Sequence, residues 1–204
     1  MSTVINHFEF TTHGELGILE FNTPNSSANI LSSAALTEFD QRLDEIAGLR
    51  HIKALLMTSG KKSIFIAGAD IREIASISDP REASDKSELG KAILNKLERL
   101  PQITIAVING ACLGGGCELA LACDYRVAGF AGSIKIGLPE IKLGILPGFG
   151  GCVRLPKRIG IANALSLILP GKSLDSRQAL KMGLVDRLFY DSILVDEAMK
   201  FAGN

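Results

Sequence analysis

The stretch ITIAVINGACLGGGCELALACDYRVA, residues 103–128, decides the fold. Ile103 to Ile108 is rich in β-branched residues and reads as a strand buried on both faces. Asn109-Gly110 turns the chain. Gly114, Gly115 and Gly116 then open an apolar helix that runs to about Cys123, and Tyr125 to Ala128 reads as a further strand. Strand, helix and strand in such short succession put the chain in the α/β class.

Working outward, the same alternation continues. Phe8 and Phe10 alternate with polar neighbours, His13-Gly14 makes a turn, and Leu16 to Phe21 completes a β-hairpin. Ser32 or Ser33 caps a helix with Leu36, Phe39, Leu43 and Ile46 on its apolar face, ending near Gly48. Ile52 to Thr58 and Ile64 to Ile66 read as short buried strands. Ser84 to Leu100 reads as a helix with Leu89, Ile93, Leu97 and Leu100 on one face, stopped by Pro101. Downstream, Ile134 to Ile136 is a strand, and Ile161 to Leu169 is apolar nearly all round, which predicts a buried helix. Gln178 to Met182 is helical with Gly183 as its C-terminal cap. Residues 1–190 form the core, and 191–204, with Ser192 to Phe201 helical, start a C-terminal helical segment. No internal sequence repeat or linker divides the chain.

Composition excludes several classes. The 204 residues carry 22 Lys+Arg against 22 Asp+Glu, so the formal charge is zero. A nucleic-acid binder usually carries a basic excess. With 47% apolar residues the chain can bury a sizeable core, so disorder is not expected. No apolar stretch is long enough to span a membrane, and the N-terminus has no basic flank with an apolar run. The expected location is the cytoplasm or a comparable reducing compartment. Cys112, Cys117, Cys123 and Cys152 form no C-x-x-C pair, and they read as small buried hydrophobes rather than metal ligands. The histidines, His7, His13 and His51, all precede the glycine-rich segments. No G-x-S-x-G and no G-x-G-x-x-G is present, so neither a Ser-His-Asp hydrolase nor a dinucleotide site is supported. Gly171-Lys172-Ser173 imitates the end of a phosphate loop, but Ser166 stands where the signature needs Gly.

Two carboxylates remain in apolar company. Glu118 lies just inside the helix opened by the glycine triplet, and Glu140 follows Gly137-Leu138-Pro139. Burial lifts a carboxyl toward neutrality, which suits general acid–base chemistry. The plain alternatives are a first-turn acid favoured by the helix dipole for Glu118 and a loop carboxylate for Glu140. The glycines carry two readings as well. They permit tight packing of strand on helix, or they present backbone N–H groups to an oxyanion. Ala67-Gly68-Ala69-Asp70-Ile71, after the strand Ile64 to Ile66, is small enough for close approach by a ligand.

Together, FIAGADI (65–71), INGACLGGGCELALACDYRVA (108–128), GLPEIKLGILPGFGG (137–151) and QALKMGLVDRL (178–188) resemble the crotonase, or enoyl-CoA hydratase/isomerase, superfamily. Residues 108–151 most resemble the N-terminal hydratase part of multifunctional fatty-acid oxidation complex α subunits. The resemblance implies a crotonase-like spiral of repeated ββα units whose C-terminal helical region is truncated here. It implies an enoyl-CoA substrate, with CoA entering as the thioester and no separate cofactor or metal. Hydration of a trans-2-enoyl-CoA to a 3-hydroxyacyl-CoA is the implied reaction, with double-bond isomerisation beside it; the alternative is a non-catalytic acyl-CoA-binding or subunit-interaction fragment. By the same resemblance, the N–H groups of Ala69 and Gly115 form the oxyanion hole. Glu118 and Glu140 are the catalytic pair, and Ala67, Gly68, Ala69, Asp70, Ile71 and Gly115 bind substrate. Arg72 is placed to meet a CoA phosphate. The two glutamates stand slightly further apart in sequence than is common in the family, with Gly129 to Gly132 as the extra loop. Assembly as a homo-oligomer or as a subunit of a fatty-acid oxidation complex follows, without nucleic acid or a membrane span.

Overall fold

A computed structural model describes residues 6–203; the first five residues, read above for a leader, lie outside the described residues. The hairpin is β1 (Phe8–His13) and β2 (Leu16–Phe21), followed by α1 (Ser33–Ala47). Ser32 caps α1 by accepting from the Ala35 N–H. Next come β3 (Ala54–Ser59), β4 (Ile64–Ile66), α2 (Ile71–Ser76) and α3 (Pro80–Glu98). The deciding stretch supplies β5 (Ile103–Ile108), β6 (Ala111–Leu113), α4 (Gly115–Ala122) and β7 (Tyr125–Ala128). Then follow β8 (Ile136–Gly137), a 3-10 turn at Glu140–Leu143, α5 (Gly151–Ile159) and α6 (Ile161–Ile168). The chain closes with β9 (Ser173–Leu174), α7 (Ser176–Met182), β10 (Arg187–Leu188), a 3-10 turn at Asp191–Ile193 and α8 (Leu194–Ala202).

The strands sort into two sheets, ordered β1-β2-β3-β5-β7-β10 and β4-β6-β8-β9. β3, β5 and β7 enter the first sheet, and the strand after each, β4, β6 and β8, enters the second. Helical segments return the chain for the next turn, so the path is a spiral of ββα units. Within each sheet these strands run parallel. The main core lies between the sheets and α1, α3, α4, α5 and α6. A second cluster joins Leu56, Ile105, Val107 and Val127 on the outer face of the first sheet to Leu194 and Ala198 of α8. Among the described residues, no helix is long and apolar enough to cross a membrane.

Several sequence expectations need correction. α6 is not buried all round: Ala164, Leu167 and Ile168 face the core, but Ile161, Leu165 and Leu169 are 70%, 46% and 66% exposed. A helix apolar at almost every position carries no periodicity to show which side is covered. α3 begins at Pro80, earlier than Ser84, because Asp79 caps it and Pro80 sits in the first turn, where its missing N–H costs nothing. Leu89 lies on the exposed side of α3. α2 and α5 are absent from the sequence reading. Pro156 argues against a helix over 151–159, yet its absent N–H would have met the carbonyl of Cys152, an exposed residue of the first turn. Cys112, Cys117 and Cys123 are buried as expected, whereas Cys152 is exposed.

Candidate active site

β4, β6 and β8 are neighbours in the second sheet and run parallel, so their C-terminal ends open on one side. Ala67–Ile71 leaves β4, the glycine triplet leaves β6 and Leu138–Glu140 leaves β8. Loops at the carboxyl ends of adjacent parallel strands form a natural ligand crevice. A cavity of about 580 Å³ lies there, lined by these three segments together with α2, α3 and the loop before α5.

Backbone hydrogen bonds fix the floor of this cavity. The Ala67 N–H donates to the Asn29 carbonyl and the Leu31 N–H donates to the Gly68 carbonyl, each at 2.9 Å. Asn29 is fully buried. Its side-chain nitrogen donates to the carbonyls of Phe21 and Phe65 and to the Ser59 hydroxyl, and its oxygen accepts from the Thr23 N–H. Gly115 is the first residue of α4, so its N–H has no intrahelical partner. A Cβ at Gly68 would lie 3.8 Å from the Gly115 nitrogen, so the two backbones approach closely. The strictest packing demand in the triplet falls on Gly116, where a Cβ would meet the Ile66 carbonyl oxygen at 2.4 Å.

The two carboxylates are buried, at 2% exposure for Glu118 and 8% for Glu140. Glu118 Oε1 accepts from the N–H groups of Phe149 and Gly151, both at 2.8 Å. Burial raises the Glu118 pKa above the ordinary carboxylate value, opposed by the Gly151 and Phe149 amides and by the positive charge of Arg154. For Glu140, burial is again the main cause; its own amide opposes it, the negative charge of Glu118 adds to it, and the pKa is pushed up to about 7. Glu140 Oε2 has no hydrogen-bond partner among the described residues. Two neighbouring acids are thus held in different environments, one on two amide donors and one with a buried, unpartnered oxygen.

Ala67, Gly68, Ala69, Asp70, Ile71, Gly115, Glu118 and Glu140 all line this cavity. Asp70 also accepts from the Arg72 N–H and so caps α2. Arg72 itself is exposed and does not line the cavity. The basic side chains that do are Lys86 of α3 and Lys142 of the 3-10 turn, which sequence reasoning missed. It also missed Phe149, whose ring packs over Gly115 and Gly90. Lys86, in a mixed-charge helix, carries no local signal; Phe149, within the quoted GILPGFGG run, offered one as a lone aromatic among glycines. The loop around Gly129–Gly132 is tied down by Asp191, whose carboxylate accepts from the Ala131 N–H. His7 is engaged with Glu38 at the start of β1, and none of the three histidines lines the cavity.

A sequence model of the family described as Enoyl-CoA hydratase/isomerase matches residues 12–204. The chain belongs to the enoyl-CoA hydratase/isomerase family. Its fold is that of solved crotonase-family structures. An enoyl-CoA hydratase from Geobacillus kaustophilus HTA426 superposes with a TM-score of 0.91 at 33% identity, over 96% of this chain and 73% of that one. The enoyl-CoA hydratase of Bacillus anthracis gives 0.90 at 32%, over 97% and 76%. Among curated proteins, the fatty acid oxidation complex subunit alpha of Aliivibrio fischeri is 46% identical over 189 residues. That match takes in 92% of this chain, which spans only 28% of the length of the relative.

Proposed function

We propose that this chain hydrates trans-2-enoyl-CoA thioesters, as the hydratase part of a protein like the fatty acid oxidation α subunits. The observation that carries the reading is the unlike pair of buried carboxylates on one cavity. Glu118 sits on two amides, and Glu140 holds an unpartnered oxygen and titrates near 7. Two acids whose surroundings differ can divide acid and base work. In this reading the thioester oxygen rests on the N–H groups of Ala69 and Gly115. Glu118 orients a water and takes its proton as the oxygen bonds to the β-carbon. Negative charge moves onto the thioester oxygen, and the two amides stabilise it; losing one such donor typically costs about 10²–10³ in rate. Glu140 gives its proton to the α-carbon, and passage of the Glu118 proton to Glu140 restores the pair. Lys86 and Lys142 at the cavity wall suit the anionic end of a CoA ester.

The test is the loss of enoyl absorbance of crotonyl-CoA with the chain and its Glu118→Gln and Glu140→Gln variants. Each variant should lose about 10²–10⁴ in kcat. Near-normal hydration by both would overturn the two-glutamate mechanism. Binding of crotonyl-CoA without turnover by the unaltered chain would leave an acyl-CoA-binding fragment instead. The unpartnered oxygen of Glu140 also favours a second reaction, double-bond isomerisation, which moves one proton between carbons on a single carboxylate. Glu118→Gln should therefore spare turnover of a 3-enoyl-CoA more than hydration.

A further inference from the structure

The loop that supplies both amides to Glu118 is held from outside the cavity. Arg154 of α5 is 8% exposed. Its Nη1 donates to the Phe149 carbonyl at 2.9 Å. Its Nη2 donates to Asn95 Oδ1 at 2.6 Å and to Glu98 Oε2 at 2.9 Å, and its Nε donates to the same Glu98 oxygen at 3.1 Å. Phe149 is therefore bonded at both ends, N–H to Glu118 and carbonyl to Arg154. Gly150 lies directly beneath this side chain. Its φ is +108°, and a Cβ there would stand 2.3 Å from Arg154 Nη1. On the other flank of the loop, the Ser87 hydroxyl of α3 donates to the Gly148 carbonyl at 2.6 Å.

Resting on the reading of Glu118 as the base, we propose that Arg154 is a positioning residue, tying the Phe149 carbonyl to Asn95 and Glu98 of α3 and so holding the Phe149 and Gly151 amides on Glu118. A buried guanidinium is costly, and an apolar side chain of similar volume often stabilises a fold as well. What an apolar side chain cannot do is fork between a loop carbonyl and two acceptors on a helix. The positive charge has a second effect, since it opposes the burial that raises Glu118. The other ionisable groups facing Glu118 are Glu140 from the 3-10 turn and Cys152 from α5. Glu98 of α3 acts through Arg154. Arg126 of β7 is committed to the carbonyls of Ala120 and Cys123 at the far end of α4. Removing Arg154 thus loosens the amides and takes away a positive charge, and both changes raise the Glu118 pKa.

The experiment compares the chain with Arg154→Met and Arg154→Lys, using crotonyl-CoA kinetics against pH and NMR of the Phe149 and Gly151 amides. The methionine variant should lose kcat on the order of 10²-fold, the scale of a 1 Å misplacement, with KM changed far less. The acid limb of its kcat profile should move to higher pH. Both amides should exchange with solvent at least about tenfold faster, as local opening becomes easier. The lysine variant keeps the charge but not the fork; it should show the faster exchange with a smaller displacement of the limb. Should the methionine variant fail to fold, the lysine variant decides. A folded variant whose two amides exchange as in the unaltered chain, with its pH limb unmoved, overturns the proposal. If the unaltered chain hydrates nothing, the catalytic reading fails, while amide exchange and the pH titration of the amide shifts still decide the positioning claim.

Discussion

Replacing Glu140 by Gln should make the protein more stable at pH 8 while lowering the proposed hydration. The carboxyl titrates at about 7 in the folded chain against an ordinary 4.5, chiefly because it is buried. The folded state therefore binds the proton more tightly than the unfolded state. The stability linked to this group is fully present below about 4.5 and is lost as pH rises through about 7. At about 1.4 kcal/mol per tenfold in proton affinity, the whole effect is roughly 3 kcal/mol. Part of it has gone by pH 5, and water at the cavity mouth screens another part, which leaves about 2 kcal/mol between pH 5 and pH 8. A glutamine keeps the shape and has no charge to bury. Urea unfolding of both proteins at the two pH values measures the difference, because other titrations largely cancel between them. The variant should be more stable than the unaltered chain by about 2 kcal/mol more at pH 8 than at pH 5. The same stability difference at both values would refute the claim that Glu140 is buried at the expense of its charge.

Gly116→Ala places a methyl 2.4 Å from the Ile66 carbonyl, and overpacking of this kind should cost about 1–3 kcal/mol in urea unfolding. On α6, Leu167→Ala should cost about 2–5 kcal/mol, whereas Leu169→Ser on the exposed side should stay within about 0.5 kcal/mol; thermal or chemical denaturation of the pair checks the half-buried reading of that helix. Under native conditions an alkylating agent followed by mass spectrometry should modify Cys152 first, since Cys112, Cys117 and Cys123 are buried and burial pushes the Cys123 thiol up to about 12.

Much of the architecture was legible because its signals are local. A β-branched run, an Asn-Gly turn and a glycine-opened helix mark β5, the turn after it and α4 within a few residues of one another, whereas the short strand β6 between them carries no such signal. A serine cap at Ser32 or Ser33 and Gly183 as a stop work in the same way, and the structure assigns the cap to Ser32. The cavity residues Ala67–Ile71, Gly115, Glu118 and Glu140 were singled out by apolar surroundings and by their resemblance to family motifs, and each follows a strand end in its own segment.

The tertiary structure decided what depends on distant residues meeting. That β4, β6 and β8 lie side by side follows from the two-sheet spiral, and no segment carries the information alone. Which side of α6 is covered rests on its packing against α5, because a uniformly apolar helix has no periodicity to read. The unlike environments of the two glutamates arise from Phe149 and Gly151, which reach Glu118 across more than thirty residues of chain. The anchor of that loop, Arg154 on Asn95 and Glu98, spans still more. Local sequence reports propensity and burial tendency. Hydrogen-bond partners, and with them the proton affinities that set chemistry, exist only once the chain has brought separate turns of the spiral into contact.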